Sequence, residues 1–424
     1  MEDIHDGFNP TENALSKAGS NCLTYKPSIP VFTEILDQFF GANDRNGDHD
    51  MMRFNVMNNK RELYDPILGK WREWTDADDS RVRFIIQAYY GMYQKSMTED
   101  ALNIRFDRHK VNPLTDLLDS LEWDGQPRIE MFLTNIMKAT DNAYTRECSR
   151  LIFAGGVHRA YNPGCQFDNM VVLIGEQGNG KSTIVHWLNI DECYYREVLT
   201  IDGKESVEEL LGGWICEVAE LLAVTKAKEA EAVKAFITRR EHNLRLAYGH
   251  NQVNLPRRCC FIGTTNKQLF LYDKTGNRRF FPVRCNINPY DLHDHENEIR
   301  EYIRQAWAEA VHLFKENKLQ PYARKELHED IVFAQESAME DDWRVGAIEA
   351  YLEKKTKDST VSVIELWYKA LHTDINGITD DRPKPTRKDS IEIAQIIMSI
   401  PGWERAKKPE YTDWGKQKVF RKTD

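Results

Sequence analysis

The sequence lacks any run of about 20 apolar residues, the length that a membrane-spanning helix needs. Its first segment, MEDIHDGFNPTENALSKAGS, has neither the basic region nor the apolar stretch of a secretory signal. We therefore expect no membrane partner and a cytoplasmic location. The eight cysteines form no C-x-x-C pair, and several lie in apolar segments such as WICEVA and RRCCFIG. This pattern favours reduced, buried thiols over metal ligands.

The sequence also lacks an excess of positive charge. It has 57 Lys and Arg against 67 Asp and Glu, so the formal net charge is −10. This balance argues against a protein that coats nucleic acid by bulk attraction, and any site for a polyanion has to be a local basic surface. The 424 residues, 41% hydrophobic and 29% charged, are typical of a soluble globular protein with more than one domain.

The first two regions of the chain precede its most regular part. Residues 1–30 are polar, with scattered Pro and Gly, and are expected to be a flexible lead-in. Residues 31–150 are expected to form a mainly helical accessory region that helps subunits assemble. The segments RVRFIIQAYYGMYQ and PLTDLLDSLEW have helix-like apolar spacing, whereas RFNVMNNKRELYDPILGKWREW predicts short strands and turns.

Residues 151–325 alternate apolar strand candidates with helical segments. The strand candidates are Met170–Ile174, Trp214–Ala219 and Cys259–Gly263. This alternation predicts an α/β fold with a mainly parallel sheet.

Residues 326–424 return to helical patterns in VGAIEAYLEKK, VSVIELWYKAL and SIEIAQIIMSI, followed by a strand-turn-strand tail. This order predicts a small winged-helix-like domain. From Arg382 onward the chain has 11 Lys and Arg against 6 Asp and Glu, a local charge of +5 that suits nucleic acid. A domain that only packs against the core is the alternative.

A glycine-rich segment, VVLIGEQGNGKSTIVHWL, joins a strand candidate to a helix candidate and fits the pattern G-x-x-x-x-G-K-[ST]. Backbone N–H groups of such a loop surround a phosphate. The predicted phosphate-binding residues are Gly175, Glu176, Gln177, Gly178, Asn179, Gly180, Lys181, Ser182 and Thr183. Lys181 is expected to bridge the β- and γ-phosphates and Ser182 to hold Mg²⁺, so the predicted cofactors are ATP and Mg²⁺. A chance glycine-rich turn is the alternative.

Two acidic residues follow in GGWICEVAELL. Glu217 lies inside the apolar run, where an unpaired charge is costly, whereas Glu220 lies at its carboxyl end, where α/β sites open. We therefore favour Glu220 as the catalytic acid and second magnesium ligand, with Glu217 as the other candidate. A structural salt bridge is the alternative for Glu217.

Polar groups also end the next strand candidate, CCFIGTTN. Asn266 is the candidate sensor of the γ-phosphate or of the attacking water, and a helix cap or turn is the alternative. In DKTGNRRFFPV, Arg278 or Arg279 is the candidate for an arginine that reaches the γ-phosphate of a neighbouring subunit. Such an arginine implies a ring, and solvated turn arginines are the alternative.

With these elements in this order, the chain resembles the virulence-associated protein E family, ATPases of phages and mobile islands related to the superfamily three helicases. The segments that carry the likeness are LEWDGQPRIEMFL, YNPGCQFDNMVVLIGEQGNGKST, GGWICEVAEL, VKAFITRREHNLRLAYG, FIGTTN and TGNRRFFPV. The resemblance implies a P-loop core of the AAA+ type that assembles as a hexameric ring on single-stranded nucleic acid. Superfamily three sites usually have two adjacent acidic residues, whereas Glu217 and Glu220 are separated here.

The resemblance also implies nucleic-acid contacts. The lysine of the family's middle motif is Lys234, and the pore hairpin falls in NLRLAYGHNQVNLPRR. That segment is strand-like on both sides of a turn and carries Arg245, Tyr248 and His250, as well as Arg257 and Arg258. Basic groups with an aromatic suit a loop that follows phosphates and stacks on bases. A structural hairpin with ordinary surface charges is the alternative.

These features predict an ATP-dependent, ring-forming DNA helicase or translocase that acts in the replication of a phage or mobile element in a bacterial host. Its expected partners are single-stranded or forked DNA, further copies of itself and other replication proteins. The competing hypothesis is a P-loop ATPase that acts as a nucleotide-dependent switch or scaffold without translocation. The hairpin and the basic tail favour the first, because a switch does not need a positive loop.

Overall fold

The structure is a computed structural model, and it describes residues 26–41, 50–201, 203–219, 227–244, 252–267, 271, 277–339, 343–371, 384–406 and 408–423. Its contacts divide the chain into two compact units, Met1–Met339 and Glu340–Asp424. The sequence placed this division earlier, between residues 325 and 326. The helix at His328–Ser337 belongs to the first unit because it packs on the strand at Phe280–Arg284, where Gln335 donates to the backbone oxygen of Phe280.

The helices of the first unit are α1 (Ile29–Phe40), α2 (Asp76–Tyr90), α3 (Lys95–Arg108), α4 (Pro113–Asp119), α5 (Phe132–Asn135), α6 (Ala143–Tyr161), α7 (Lys181–Leu188), α8 (Glu205–Leu210), α9 (Ala227–Thr238), α10 (Pro289–Asp294), α11 (Glu296–Lys315) and α12 (His328–Ser337). Its strands are β1 (Met52–Asn55), β2 (Lys60–Asp65), β3 (Lys70–Glu73), β4 (Lys110–Val111), β5 (Met170–Ile174), β6 (Arg196–Glu197), β7 (Ile215–Ala219), β8 (Glu241–Leu244), β9 (Val253–Pro256), β10 (Cys260–Thr265) and β11 (Phe280–Arg284). In the described ranges, no helix combines the length and the apolar character that crossing a membrane requires.

A five-stranded parallel sheet forms the centre of the first unit, in the order β11-β5-β10-β7-β6. The side chains of β5 alternate between two cores, because successive side chains of a strand point to opposite faces. Val171 and Leu173 pack in one core, and Met170, Val172 and Ile174 pack in the other. Both faces are covered, as the continuous apolar run of β5 requires. The predicted α/β fold with a parallel sheet is confirmed.

Two buried tryptophans hold the helices of one face against the sheet. Trp214 and Trp307 are fully buried, and their ring centroids are 4.2 Å apart. Each indole nitrogen donates to a backbone oxygen, Trp214 to Gly156 in α6 and Trp307 to Leu188 at the end of α7. A side chain at Gly156 would overlap the Trp307 ring. This packing sets the position of α7, the helix that follows the glycine-rich loop.

The accessory region has its own sheet, in the order β3-β2-β1-β4, and its own core beneath α1 and α3. Arg105 of α3 lies inside this core, where it is 1% exposed and forms ion pairs with Asp50 and Asp37. Burial lowers the pKa of Arg105 to about 10. These ion pairs link α3 to α1 through Asp37 and to the segment before β1 through Asp50.

The second unit contains the helices α13 (Trp343–Leu352), α14 (Val363–Leu366) with a π-helical turn at Trp367–Leu371, and α15 (Arg387–Ser399), and the strands β12 (Thr360–Ser362), β13 (Trp403–Arg405), β14 (Glu410–Thr412), β15 (Gly415–Gln417) and β16 (Val419–Lys422). β16 pairs antiparallel with both β12 and β13, and β14 and β15 form a separate hairpin between β13 and β16. The chain therefore runs helix, strand, helix, helix, strand, hairpin and strand around one small core.

Candidate functional site

The glycine-rich loop follows β5 at the carboxyl edge of the parallel sheet, which is the edge where ligands bind in open α/β folds. Gly178 and Gly180 have φ angles of 78° and 87°, in the left-handed region that favours glycine. A Cβ at Gly175 would overlap the Asn179 side chain. The glycines of the motif are therefore required by the backbone, whose turn leads directly into the first residue of α7.

Lys181, the first residue of α7, is folded back over the loop. Its Nζ donates to the backbone oxygens of Gly175 at 2.9 Å and Glu176 at 2.8 Å, and to Asn179 Oδ1 at 3.0 Å. The side chain is 8% exposed. The ammonium group is thus held at the loop by two backbone oxygens and one side-chain oxygen of the loop itself.

Glu217 of β7 accepts hydrogen bonds from three hydroxyl groups. Ser182 Oγ donates at 2.6 Å and Thr264 Oγ1 at 2.5 Å to Oε1, and Tyr195 Oη donates at 2.6 Å to Oε2. The residue is 1% exposed, and these bonds satisfy its buried oxygens. Burial and the hydrogen bond to Glu217 raise the pKa of Tyr195, which keeps its hydroxyl a donor.

This arrangement places the carboxylate of Glu217 in contact with Ser182, the serine of the glycine-rich motif. The structural alternative for Glu217 was a salt bridge, but its described partners are hydroxyl groups and not cations. Glu220, which the sequence favoured as catalytic acid and magnesium ligand, lies outside the described residues, so that assignment stays a prediction.

The donor set fits magnesium chemistry. Among the described residues, no group of three or more His, Cys, Asp or Glu side chains could hold a metal ion. Mg²⁺ in nucleotide sites keeps several waters and takes few protein ligands besides substrate phosphates. One serine hydroxyl and one carboxylate, as in the Ser182–Glu217 pair, are the protein ligands of Mg²⁺ in P-loop enzymes.

The end of β10 lies beside the loop. The backbone N–H of Gly175 donates to the oxygen of Thr265 at 3.1 Å, which ties the start of the loop to this neighbouring strand. Asn266 follows directly and is exposed at the same carboxyl edge. The predicted sensor and the predicted phosphate loop therefore share one edge of the sheet.

The two candidate arginines differ in their surroundings. Arg279 Nε donates to Thr238 Oγ1 at 2.8 Å and lies 3.8 Å from Asp168. Arg278 is exposed and has no ion pair with any residue that the structure describes. Both precede β11, whose first residue, Phe280, lies opposite Met170, the first residue of β5. They are therefore at the amino edge of the sheet, away from the loop of their own chain.

Sequence reasoning missed two sets of residues near the loop. Tyr195 and Thr264 hold Glu217, although neither stands in a recognisable motif. The second set lines a cavity of about 560 Å³ whose wall includes Ile174, Arg284, Tyr144 and the exposed Phe333 of α12. Arg284 lies opposite Ile174, the residue before the loop. The sequence signal for this second set was Arg284, which ends the strand candidate after Arg278 and Arg279.

The nucleic-acid candidates are only partly described. β8 and β9 form the predicted hairpin, with His242 opposite Leu255. Arg245, Tyr248 and His250 lie between these strands, outside the described residues. Lys234 of α9 is 3% exposed, so the structure places its side chain in the interior.

Comparison with known proteins gives a family and a fold. The model of the virulence-associated protein E-like domain matches residues 118–340. The chain is similar to the apo structure of the NrS-1 C-terminal region (305–718), with a TM-score of 0.53 and 13% identity over 94% of this chain and 100% of that chain. A second apo structure of that region, its A form, has a TM-score of 0.48 and 13% identity over 88% and 96%. A search of the curated proteins finds no match.

Proposed function

The chain belongs to the virulence-associated protein E-like family, and from this premise we propose that it is an ATP hydrolase that assembles as a ring and moves along DNA during replication of a phage or mobile element. The observation that carries the proposal is the contact of Ser182 with Glu217, at 2.6 Å, directly behind a P-loop. This contact joins the two parts that every P-loop hydrolase needs, the phosphate cradle and the acid of a neighbouring strand.

Each residue of the carboxyl edge has a role in this proposal. Lys181 would exchange its loop acceptors for the β- and γ-phosphate oxygens. Ser182 and Glu217 would hold Mg²⁺, which would supply positive charge against the phosphates. Asn266, exposed beside the loop, orients the attacking water. Glu220 remains the proposed catalytic carboxylate, because both oxygens of Glu217 already accept hydrogen bonds.

The strand order supports the P-loop core of the AAA+ type. The acid strand β7 is separated from the loop strand β5 by β10, which carries the candidate sensor. The candidate sensor therefore follows the strand that lies between the loop strand and the acid strand.

The position of Arg278 supports a shared site and therefore a ring. The residue lies at the amino edge, separated from its own loop by the length of β5, about 15 Å at roughly 3.3 Å per residue. Its side chain is too short to reach its own γ-phosphate, but it is exposed and thus accessible to a neighbouring subunit in the proposed ring. Because Thr238 and Asp168 hold Arg279 inside its own chain, we assign the arginine finger to Arg278.

The second unit supports a winged-helix assignment and a contact with DNA. Its order of helices and strands agrees with a winged helix in which β14 and β15 form the wing. Lys416, at the wing, and Lys418, next to it, belong to the stretch whose local charge is +5.

The proposal is tested by measuring ATP hydrolysis with and without single-stranded DNA, together with unwinding of a forked duplex. We expect DNA to stimulate hydrolysis and the fork to be unwound. Hydrolysis without stimulation or unwinding would instead identify a nucleotide-dependent switch, and absence of hydrolysis would contradict both.

A further inference from the structure

A second cavity, of about 530 Å³, lies between the accessory sheet and the amino edge of the parallel sheet. We call it the junction cavity. Phe54, Arg61 and Lys110 line it from the accessory region, and Leu255, Arg257 and Arg258 line it from the core. Leu255 belongs to β9, a strand of the predicted hairpin, and the two arginines follow that strand directly. The junction cavity is thus continuous with the base of the hairpin and lies at the opposite edge of the sheet from the P-loop.

The charges of the junction cavity are unbalanced. Its cationic side chains are Arg61, Lys110, Arg257 and Arg258, and its one carboxylate among the lining residues is Asp107. Lys110 is paired with Asp107. The surplus is therefore carried by arginines, in a chain whose net charge is −10.

Arg257 has a structural role. It is 3% exposed, donates to the backbone oxygens of Phe236 and Ile237, and lies 2.9 Å from His242 Nε2. Burial, followed by the charge of Arg257, lowers the pKa of His242 to about 4, so the imidazole is a neutral acceptor near neutral pH. These contacts connect the residue that follows β9 to the end of α9 and to β8.

Arg258 and Arg61 have no ion pair among the described residues. Arg258 is half-buried, and the structure describes no carboxylate or hydrogen-bond acceptor in contact with its guanidinium. Arg61 is also half-buried; it donates to Asn103, and its guanidinium lies 5.0 Å from the centre of the Phe106 ring. Burial lowers the pKa of both guanidinium groups, and for Arg61 the charges of Asp79 and Glu99 offset part of this effect. A partly desolvated cation without an ion pair is costly unless an anion binds to it.

We propose that the junction cavity binds the phosphodiester backbone of a single strand of nucleic acid, with Arg258 and Arg61 as its phosphate ligands. The cavity has the volume of sites that hold a nucleotide-sized unit. Its apolar wall, which includes Phe54 and Leu255, suits sugars and bases, and its guanidinium groups suit phosphate oxygens. The accessory region is then one wall of the nucleic-acid path, in addition to its expected role in subunit assembly.

This inference rests on the proposed function for the identity of the strand, but not on hydrolysis. We would measure binding of a fluorescent oligothymidylate of about 12 nucleotides, a length within the range of single-strand sites, without ATP and as a function of salt. The variants are Arg258→Ala and Arg61→Ala, and the control is Arg304→Ala, which removes an exposed arginine of α11.

We expect each cavity variant to weaken binding about tenfold, which is about 1.4 kcal/mol, and to lower the slope of log K against log salt by about 0.7. The control should leave affinity and slope unchanged. Arg258→Ala should also keep or raise the melting temperature, since it removes a partly buried cation that lacks an ion pair. Unchanged oligonucleotide affinity in both cavity variants would overturn the proposal, as would a loss of affinity that follows a fall in melting temperature.

A competing source of phosphate is a free nucleotide. Thymidine 3′,5′-bisphosphate should compete only weakly with the oligonucleotide. If Arg258→Ala no longer binds the bisphosphate but still binds the oligonucleotide, the assignment to a nucleic-acid strand is wrong.

Lys181→Ala should bind the oligonucleotide like the unaltered chain. If DNA fails to stimulate hydrolysis but oligonucleotide binding depends on Arg258, the proposed function is wrong and the inference stands. If DNA stimulates hydrolysis but oligonucleotide binding does not depend on Arg258 or Arg61, only the inference is wrong.

Discussion

The two edges of the parallel sheet differ in how their charged groups are held. At the carboxyl edge, Lys181 and Glu217 each have three hydrogen-bond partners within the chain. At the amino edge, Arg278 and Arg258 have no ion pairs among the described residues. The carboxyl edge is therefore organised without a ligand, whereas the amino edge has cations without internal ion pairs among the described residues.

The difference suits the two tasks that the proposed function gives to the two edges. Transfer of a phosphoryl group requires catalytic groups in fixed positions, because preorganised groups need not reorganise during the reaction. Contacts with another subunit or with a nucleic-acid strand require charge that is available, and an internal partner would compete with the external one. The sheet separates these two tasks by the length of its strands.

The largest effect is expected from Lys181→Ala, which removes the central cation of the organised edge. Turnover should fall by at least about 10³-fold, the upper range for loss of one preorganised donor. Single-turnover hydrolysis and binding of a fluorescent ATP analogue would measure it, with Arg304→Ala as the matched surface control. Turnover within about threefold of the unaltered chain would mean that the carboxyl edge is not the hydrolytic site.

Arg278→Ala tests whether the amino edge acts on another subunit. We expect a loss of about 10³-fold, the lower range for an arginine finger. Mixing this variant with Lys181→Ala should restore part of the activity, because an intact loop then meets an intact arginine across a mixed interface. Arg279→Ala is the control, and it should lower the melting temperature through loss of its contacts with Thr238 and Asp168. If no mixture recovers activity, Arg278 does not act in trans.

Glu217→Gln asks whether the hydroxyl cluster is catalytic or only structural. The change keeps the shape of the side chain but removes its charge, so turnover should fall about 10²-fold, as expected for one electrostatic contact. The Mg²⁺ concentration needed for nucleotide binding should also rise. Tyr195→Phe removes one of three donors and should cost about threefold, within the range of one net hydrogen bond. Equal effects of the two changes would show that the cluster serves packing alone.

The smallest effect concerns pH at the amino edge. Burial and Arg257 lower the pKa of His242 from 6.5 to about 4, so the unfolded chain binds a proton in this window while the folded chain does not. Stability should therefore decrease as pH falls through that window. His242→Gln, which retains an acceptor for Arg257, should flatten the dependence in urea unfolding curves. An unchanged slope in the variant would assign the effect to other groups.

Much of the fold was predictable because its signals are local. The strand at Met170–Ile174, the turn glycines and the helix after Lys181 follow from residues within a few positions of one another. The Glu217 cluster was not predictable in the same way. Tyr195 and Thr264 are 22 and 47 residues from Glu217, and no spacing rule links them. The sequence-based preference for Glu220 rested on the cost of burying a charge, and it did not anticipate hydroxyl donors that offset this cost.

The arginines show the same limit. Arg278 is adjacent to Arg279, and Arg257 is adjacent to Arg258. From the sequence alone, the two arginines of each pair cannot be assigned different roles. In the structure, one member of each pair is held by backbone or side-chain acceptors and the other is not.

The sequence by itself determined the turn of the glycine-rich loop, the alternation of strands and helices, and the polar groups at the strand ends. These features depend on backbone preferences and side-chain periodicity, which act over a few residues. The tertiary structure alone decided which acid meets Ser182, which arginines lack an internal partner, and that the accessory sheet encloses a cavity at the base of the hairpin. These depend on which strands are neighbours, and hence on contacts between residues that are distant along the chain.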